Sequence, residues 1–161
     1  MKRLLLFFLL AFPVFQLFAQ KLTALEKQII LAGPEEMLQI VQNRNLEKEL
    51  FNIYSLIGDR GIDEIVTAYS ASFPGITEDE CMYIILKVAL ISSLGSGNED
   101  GIETAFDILE FCEEIDSIAD KEELPEDIQT LIESSYWKDC IAFYRLFDSD
   151  AFLRERFPEY F

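Results

Sequence analysis

Apolar residues recur along this chain at three- and four-residue intervals nearly everywhere and alternate in strand fashion almost nowhere, which predicts an all-α protein. Leu22, Leu25, Ile29 and Ala32 line one helical face. A second helix restarts at Pro34, a residue suited to a first turn, with Met37, Ile40 and Val41 inward. Leu46, Leu50, Ile53, Tyr54 and Ile57 make a third face that stops at Gly58. Ile62, Ile65, Val66, Tyr69 and Phe73 make a fourth that stops at Phe73-Pro74-Gly75. Thr77 and Glu80 then have the spacing of a capping box, in which the hydroxyl accepts from the Glu80 amide and the carboxylate reaches back to the first.

The helix so opened, CMYIILKVALISSL, is apolar nearly all round apart from Lys87 and two serines, so neighbours are expected to cover most of its sides. The next helix carries two apolar faces, one of Ile102, Ala105, Phe106, Leu109 and Cys112 and one of Ile108, Phe111 and Ile115, and is expected to lie between layers. The rest of its circumference is acidic. Glu103, Asp107, Glu110 and Glu114 follow the i, i+4, i+7, i+11 spacing of a single stripe. Beyond the charged loop ADKEELPED come a short helix around Ile128 to Ile132, an aromatic helix from Trp137 to Phe147, and a last turn or two before Pro158, for eight or nine helices in all.

Two stretches match one another: SLIGDRGIDEIVTAY from Ser55 and SLGSGNEDGIETAFDIL from Ser93. Each has a Ser-Leu helix end, a glycine, an acid-bearing turn closing on Gly-Ile, and apolar residues at i, i+3 and i+4. A two-residue insertion in the second turn reconciles the offsets, and the period suits stacked helical hairpins. Over residues 46–115 the chain resembles the HEAT-repeat family of α-solenoids, whose paired helices meet at short turns carrying glycine and aspartate. The resemblance implies stacked antiparallel hairpins, a binding surface and no intrinsic chemistry. A compact orthogonal helical bundle is the alternative architecture. The turn around Gly97 is expected to be a hinge, with Ser96, Asn98 or Asp100 capping the next helix and Asp100 and Glu103 spaced as a capping pair.

The N-terminus changes the picture of where this domain works. Lys2 and Arg3, the apolar run Leu4 to Phe12 and Leu17-Phe18-Ala19 together read as a secretory signal peptide over residues 1–19, leaving 20–161 as one domain. The run is broken by Pro13 and Gln16 and is shorter than the ~20 apolar residues of a membrane span. No cysteine follows it to carry a lipid, and no Asn-x-Ser/Thr sequon occurs. The expected location is the bacterial periplasm, or secretion. Cleavage removes two bases and carries the formal charge from -17 to -19. From Gly61 to Trp137 nineteen acids face only Lys87 and Lys121, which excludes nucleic acid as a partner and favours a basic one.

The chemistry available is narrow. With 161 residues the chain buries enough surface to fold without a metal or other cofactor, and none is expected. It contains no histidine, which removes the usual general base, the commonest transition-metal ligand and the usual partner of a serine or cysteine nucleophile. No nucleophile-elbow, zincin or phosphate-loop motif occurs. Setting Gly101 at the glycine of a calcium loop puts Ser96, Asn98 and Asp100 at the first ligand positions and Asp107 at the last, where aspartate and a bidentate glutamate normally stand, so calcium is not expected.

Cys81 and Cys112 fall at similar heights on neighbouring helices and are a candidate disulfide, the alternative being two buried thiols; Cys140 is the odd third. Nine aromatics in the last 26 residues are expected to cap the helical stack, with FPEYF either packed or projecting as a docking tail. The expectation is a non-catalytic interaction or scaffolding module that takes a basic protein on Glu103, Asp107, Glu110 and Glu114. The alternative is a hydrolase of envelope polymers working with two carboxylates.

Overall fold

A computed structural model describes residues 22–59, 62–119 and 124–161; the signal-peptide reading and the turn at Arg60 and Gly61 lie outside the described residues. Among the described residues the chain forms nine α-helices and no strand. They are α1 (Ala24–Leu31), α2 (Pro34–Gln42), α3 (Glu47–Asp59), α4 (Ile62–Ser72), α5 (Glu78–Gly95), α6 (Glu99–Ile118), α7 (Glu126–Glu133), α8 (Ser135–Ser149) and α9 (Ala151–Arg156). Short 3-10 turns occupy Arg44–Leu46 and Pro158–Tyr160. No helix among the described residues is long and apolar enough to cross a membrane.

The spacing-derived faces are the buried ones. Leu22, Leu25, Ile29 and Ala32, then Met37, Ile40 and Val41, then Leu50 and Ile53, all reach the core. The Thr77–Glu80 capping box forms, with Thr77 N donating to Glu80 Oε2 at 2.9 Å and Glu80 N to Thr77 Oγ1 at 3.2 Å. An identical box, not anticipated, opens α1: Thr23 N donates to Glu26 Oε2 at 2.6 Å and Glu26 N to Thr23 Oγ1 at 3.1 Å. Glu26 is the one buried carboxylate among the described residues, and this cap occupies it.

Helix α5 is the axis of the fold. It packs against α1, α2, α3, α4, α6 and α8, and its buried residues cover every side of it, as its all-round apolarity requires. Nor is stacking purely between sequence neighbours: α2 lies directly on α8, and the C-terminal end of α2 is tied to the segment after α8. Arg156 Nη1 donates to Val41 O at 3.0 Å, and Gln42 Nε2 donates to Asp150 Oδ2 at 3.1 Å. In an open solenoid each repeat touches only its neighbours; here α2 and α8, far apart in the chain, pack on each other as well as on the central α5.

The sequence exception inside α5, Lys87, is wholly buried. Its Nζ donates to Ile30 O at 3.1 Å, Ala32 O at 2.6 Å and Asp139 Oδ2 at 2.6 Å. An ammonium has three protons, so each finds an acceptor. The two carbonyls belong to the C-terminal end of α1, where backbone oxygens lack intrahelical partners and the helix dipole is negative. One side chain therefore joins α5 to α1 and α8.

The glycine-rich turn is a tight link of Ser96, Gly97 and Asn98 between α5 and α6. Gly97 has φ +68°, the left-handed region that glycine enters without a Cβ penalty. Gly95 and Gly101 serve approach: a Cβ on Gly95 would overlap Leu50 Cδ1 of α3, and one on Gly101 would stand 2.9 Å from Ser96 Oγ. The expected cap is only partly realised. Asn98 is the N-cap residue without a side-chain bond, while Asp100 lies inside α6, so it forms no capping pair with Glu103. Ser96 Oγ instead donates to Ser93 O and accepts from Asn98 N. With Gly101 and Asp107 in regular helix, no calcium-loop geometry exists here.

Cys81, Cys112 and Cys140 are all buried free thiols, so the candidate Cys81–Cys112 bridge is not formed. Similar height on paired helices does not align the Cβ vectors a disulfide needs. The Cys81 sulfur lies 3.3 Å from Ser70 Oγ on α4, and the thiol whose charge bears on Cys140 is Cys112. Burial first, and Asp116 second, push the Cys112 thiol up to about 12.

Candidate functional site

Helix α6 buries Gly101, Ala105, Leu109, Cys112 and Ile115 against α5 and α8. Its second apolar face is covered only in part, since Phe111 remains exposed beside the Trp137 ring. Glu103, Asp107, Glu110 and Glu114 all stand exposed on the opposite side, as their spacing predicts. None of the four is in an ion pair with a described residue.

The C-terminal aromatics build a wall beside this stripe. Phe143, Phe147 and Phe157 are buried; Phe147 and Phe157 meet Phe106 of α6 edge-on, with centroids at 5.7 and 5.8 Å, and Phe143 packs tilted on Phe147 at 6.3 Å. Such tilted contacts suit the ring quadrupoles. The Pro158–Tyr160 turn then carries the chain back across α6: Tyr160 stacks on Phe106 and Phe161 on Phe147. FPEYF therefore packs and does not project.

Between the stripe and this wall runs a groove of about 510 Å³. Glu103, Asp107, Glu110 and Glu113 of α6 and Asp148 of α8 supply its carboxylates; Phe106, Tyr144, Phe147, Tyr160 and Phe161 supply its rings. No basic side chain of a described residue lines it. Three stripe residues are thus brought together, and Glu114 is not. At about 100° per residue Glu113 falls roughly 80° around α6 from Glu103, on the side of Phe106; Glu114 shares the azimuth of Glu103 and Asp107 but lies a turn beyond Glu110, where the lining has moved to the Phe106 side. The omitted acids were within reach of the sequence, because Tyr144 and Asp148 are four apart on one helix and share a face.

The electrostatics agree with the geometry. Burial raises the Tyr160 phenol, and the carboxylates of Glu159, Glu103 and Asp107 raise it further. Burial likewise raises Tyr144, followed by Glu113, Asp148 and Asp116. Both phenols titrate in a negative field. No cluster of three metal-ligating side chains occurs among the described residues, so these carboxylates are spread along the groove and do not converge on one point charge.

A larger depression, about 780 Å³ and more open, lies between the first turn of α2 and Ala142, Arg145 and Leu146 of α8. It gathers Glu35, Glu36 and an arginine already held by Asp116, with Arg145 Nε at 3.2 Å from Asp116 Oδ2, and so presents no convergent set of one sign. The acid and aromatic groove is the better candidate on chemical grounds, despite its smaller volume. No family model, no curated protein and no solved structure matches this chain.

Proposed function

We propose that this protein is a non-catalytic interaction module of the bacterial periplasm that docks a basic protein segment in the groove between α6 and its own C-terminal turn. The observation that carries the reading is the convergence, in one open groove, of three stripe carboxylates with two further acids and a row of aromatic rings. Carboxylates supply long-range attraction and rings supply contact area, the two ingredients of a partner-binding surface. The net charge of -17 extends that attraction beyond the groove. The α5–α6 hairpin and its sequence match around Gly58 support a HEAT-like origin for this half of the molecule, folded around α5. The leader at residues 1–19 supports export.

Binding of a labelled basic peptide, followed by anisotropy as salt is raised, tests the docking. Asp107→Lys with Glu110→Lys is expected to lower affinity at least tenfold and to flatten its salt dependence, while Glu114→Lys, outside the groove lining, has a much smaller effect. Undiminished binding by the double variant would sink the proposal.

A further inference from the structure

We propose that the groove selects arginine over lysine in the segment it docks, with the Tyr160 ring as stacking platform and the carboxylates of Glu103 and Asp107 as acceptors for the guanidinium. The inference rests on the docking reading above and adds the identity of the recognised side chain.

The chain displays the mode of recognition itself, at one end of the groove. The Arg154 guanidinium lies over the Phe161 ring, 4.4 Å from its centroid. Its Nε donates to Asp148 O at 2.8 Å, and its Nη2 donates to the same carbonyl and, at 3.3 Å, to Asp148 Oδ1. Phe161 and Asp148 both line the groove. A planar cation rests on a ring face while its edge reaches a carboxylate; the ammonium of Lys87, bonded to Asp139, also faces a ring, Tyr136, but stays 5.9 Å from its centroid, because only the planar guanidinium can lie flat on it.

Phe161, 46% exposed, already carries a cation, Arg154, and packs on Phe147. Tyr160, the next ring along, has no cation of a described residue over it. It stacks on Phe106, remains 41% exposed, and has Glu103 and Asp107 close enough for their charges to raise its phenol. From Glu103 to Glu113 the acids extend about 15 Å along α6, the length of four or five extended residues. Carboxylates strung over that distance, without a metal-binding cluster, suit several side chains of one peptide better than a single small cation. Guanidinium is also more weakly hydrated than ammonium, so stacking it costs less desolvation.

The test compares fluorescein-labelled hexa-arginine and hexalysine, equal in charge, titrated with the full chain at about 50 mM salt, where exposed charges act over more than 10 Å. The arginine peptide is expected to bind about three- to tenfold more tightly. Tyr160→Ala should bring the two peptides to equal affinity, and Tyr160→Phe, which keeps the ring, should restore the preference. Equal affinity for the native protein overturns the selectivity and leaves the docking reading standing. A preference that survives in Tyr160→Ala overturns the assigned platform. Failure of both peptides to bind overturns the docking reading itself.

Discussion

In α5 a single cation, Lys87, is sealed from water with all three ammonium protons accepted, whereas in α6, three residues further on, Glu103, Asp107, Glu110 and Glu113 stand exposed and outside any ion pair with a described residue. The contrast shows how the fold sorts its charges. Helix C-terminal ends need donors, and bases go there: Lys87 to the end of α1, Arg156 to Val41 at the end of α2, Arg154 to Asp148 near the end of α8. Basic residues engaged in that way no longer offset the acids of the α6 face. A surface that the composition makes acidic is left more so by the architecture.

The largest expected effect comes from the buried side. Lys87→Met keeps the volume but orphans two helix-end carbonyls and the Asp139 carboxylate; denaturant unfolding should show a loss of about 3 kcal/mol, a fall of roughly 6–12 °C in melting temperature. Loss below 1 kcal/mol would place Lys87 outside the framework.

Alkaline pH reaches the same interior by another route. The Cys112 thiol is raised in the folded state from 9.0 to about 12, so the unfolded chain ionises first as pH rises. The associated stability is complete below pH 9 and drains away as pH climbs towards the folded value. Denaturation at pH 11 against pH 8 should show about 2–3 kcal/mol less stability. Cys112→Ser, with its far higher hydroxyl pKa, should remove the Cys112 share of that slope, while the slope from the Cys140 thiol, which burial also pushes well up, remains.

The joint between the two helices ranks third. Gly97→Ala must hold a Cβ at φ +68° and 2.9 Å from Glu47 Oε1, a half-buried side chain whose other oxygen pairs with Arg44, so about 1–2 kcal/mol should be lost. The smallest effect on stability belongs to the outer face. Asp107→Lys with Glu110→Lys should leave unfolding within about 0.5 kcal/mol while removing peptide binding, because neither acid supports the fold. A large destabilisation there would erase the distinction between a framework side and a docking side.

Much of the helical framework was legible in local pattern. The buried faces of α1, α2 and α3, the Thr77–Glu80 box, the central position of α5 and the exposed stripe of α6 each follow from i, i+3 and i+4 spacing. Errors arose where an outcome depended on orientation. Of the two readings open for Cys81 and Cys112, helix spacing could not choose, and the structure has both as buried free thiols; Asp100 entered the helix it was expected to cap. Glu113 replaced Glu114 in the groove because a neighbouring helix, not the stripe, sets where the groove runs.

By itself the sequence determined which segments are helical, which face of each is apolar and where the negative charge accumulates, since those properties depend on neighbours within a turn or two. The tertiary structure alone decided that Lys87 would meet carbonyls 55 and 57 residues away and a carboxylate 52 residues away, and that the C-terminal rings would return to the α6 acids. Those contacts depend on how helices cross once water is excluded, and intrahelical spacing carries no record of the crossing.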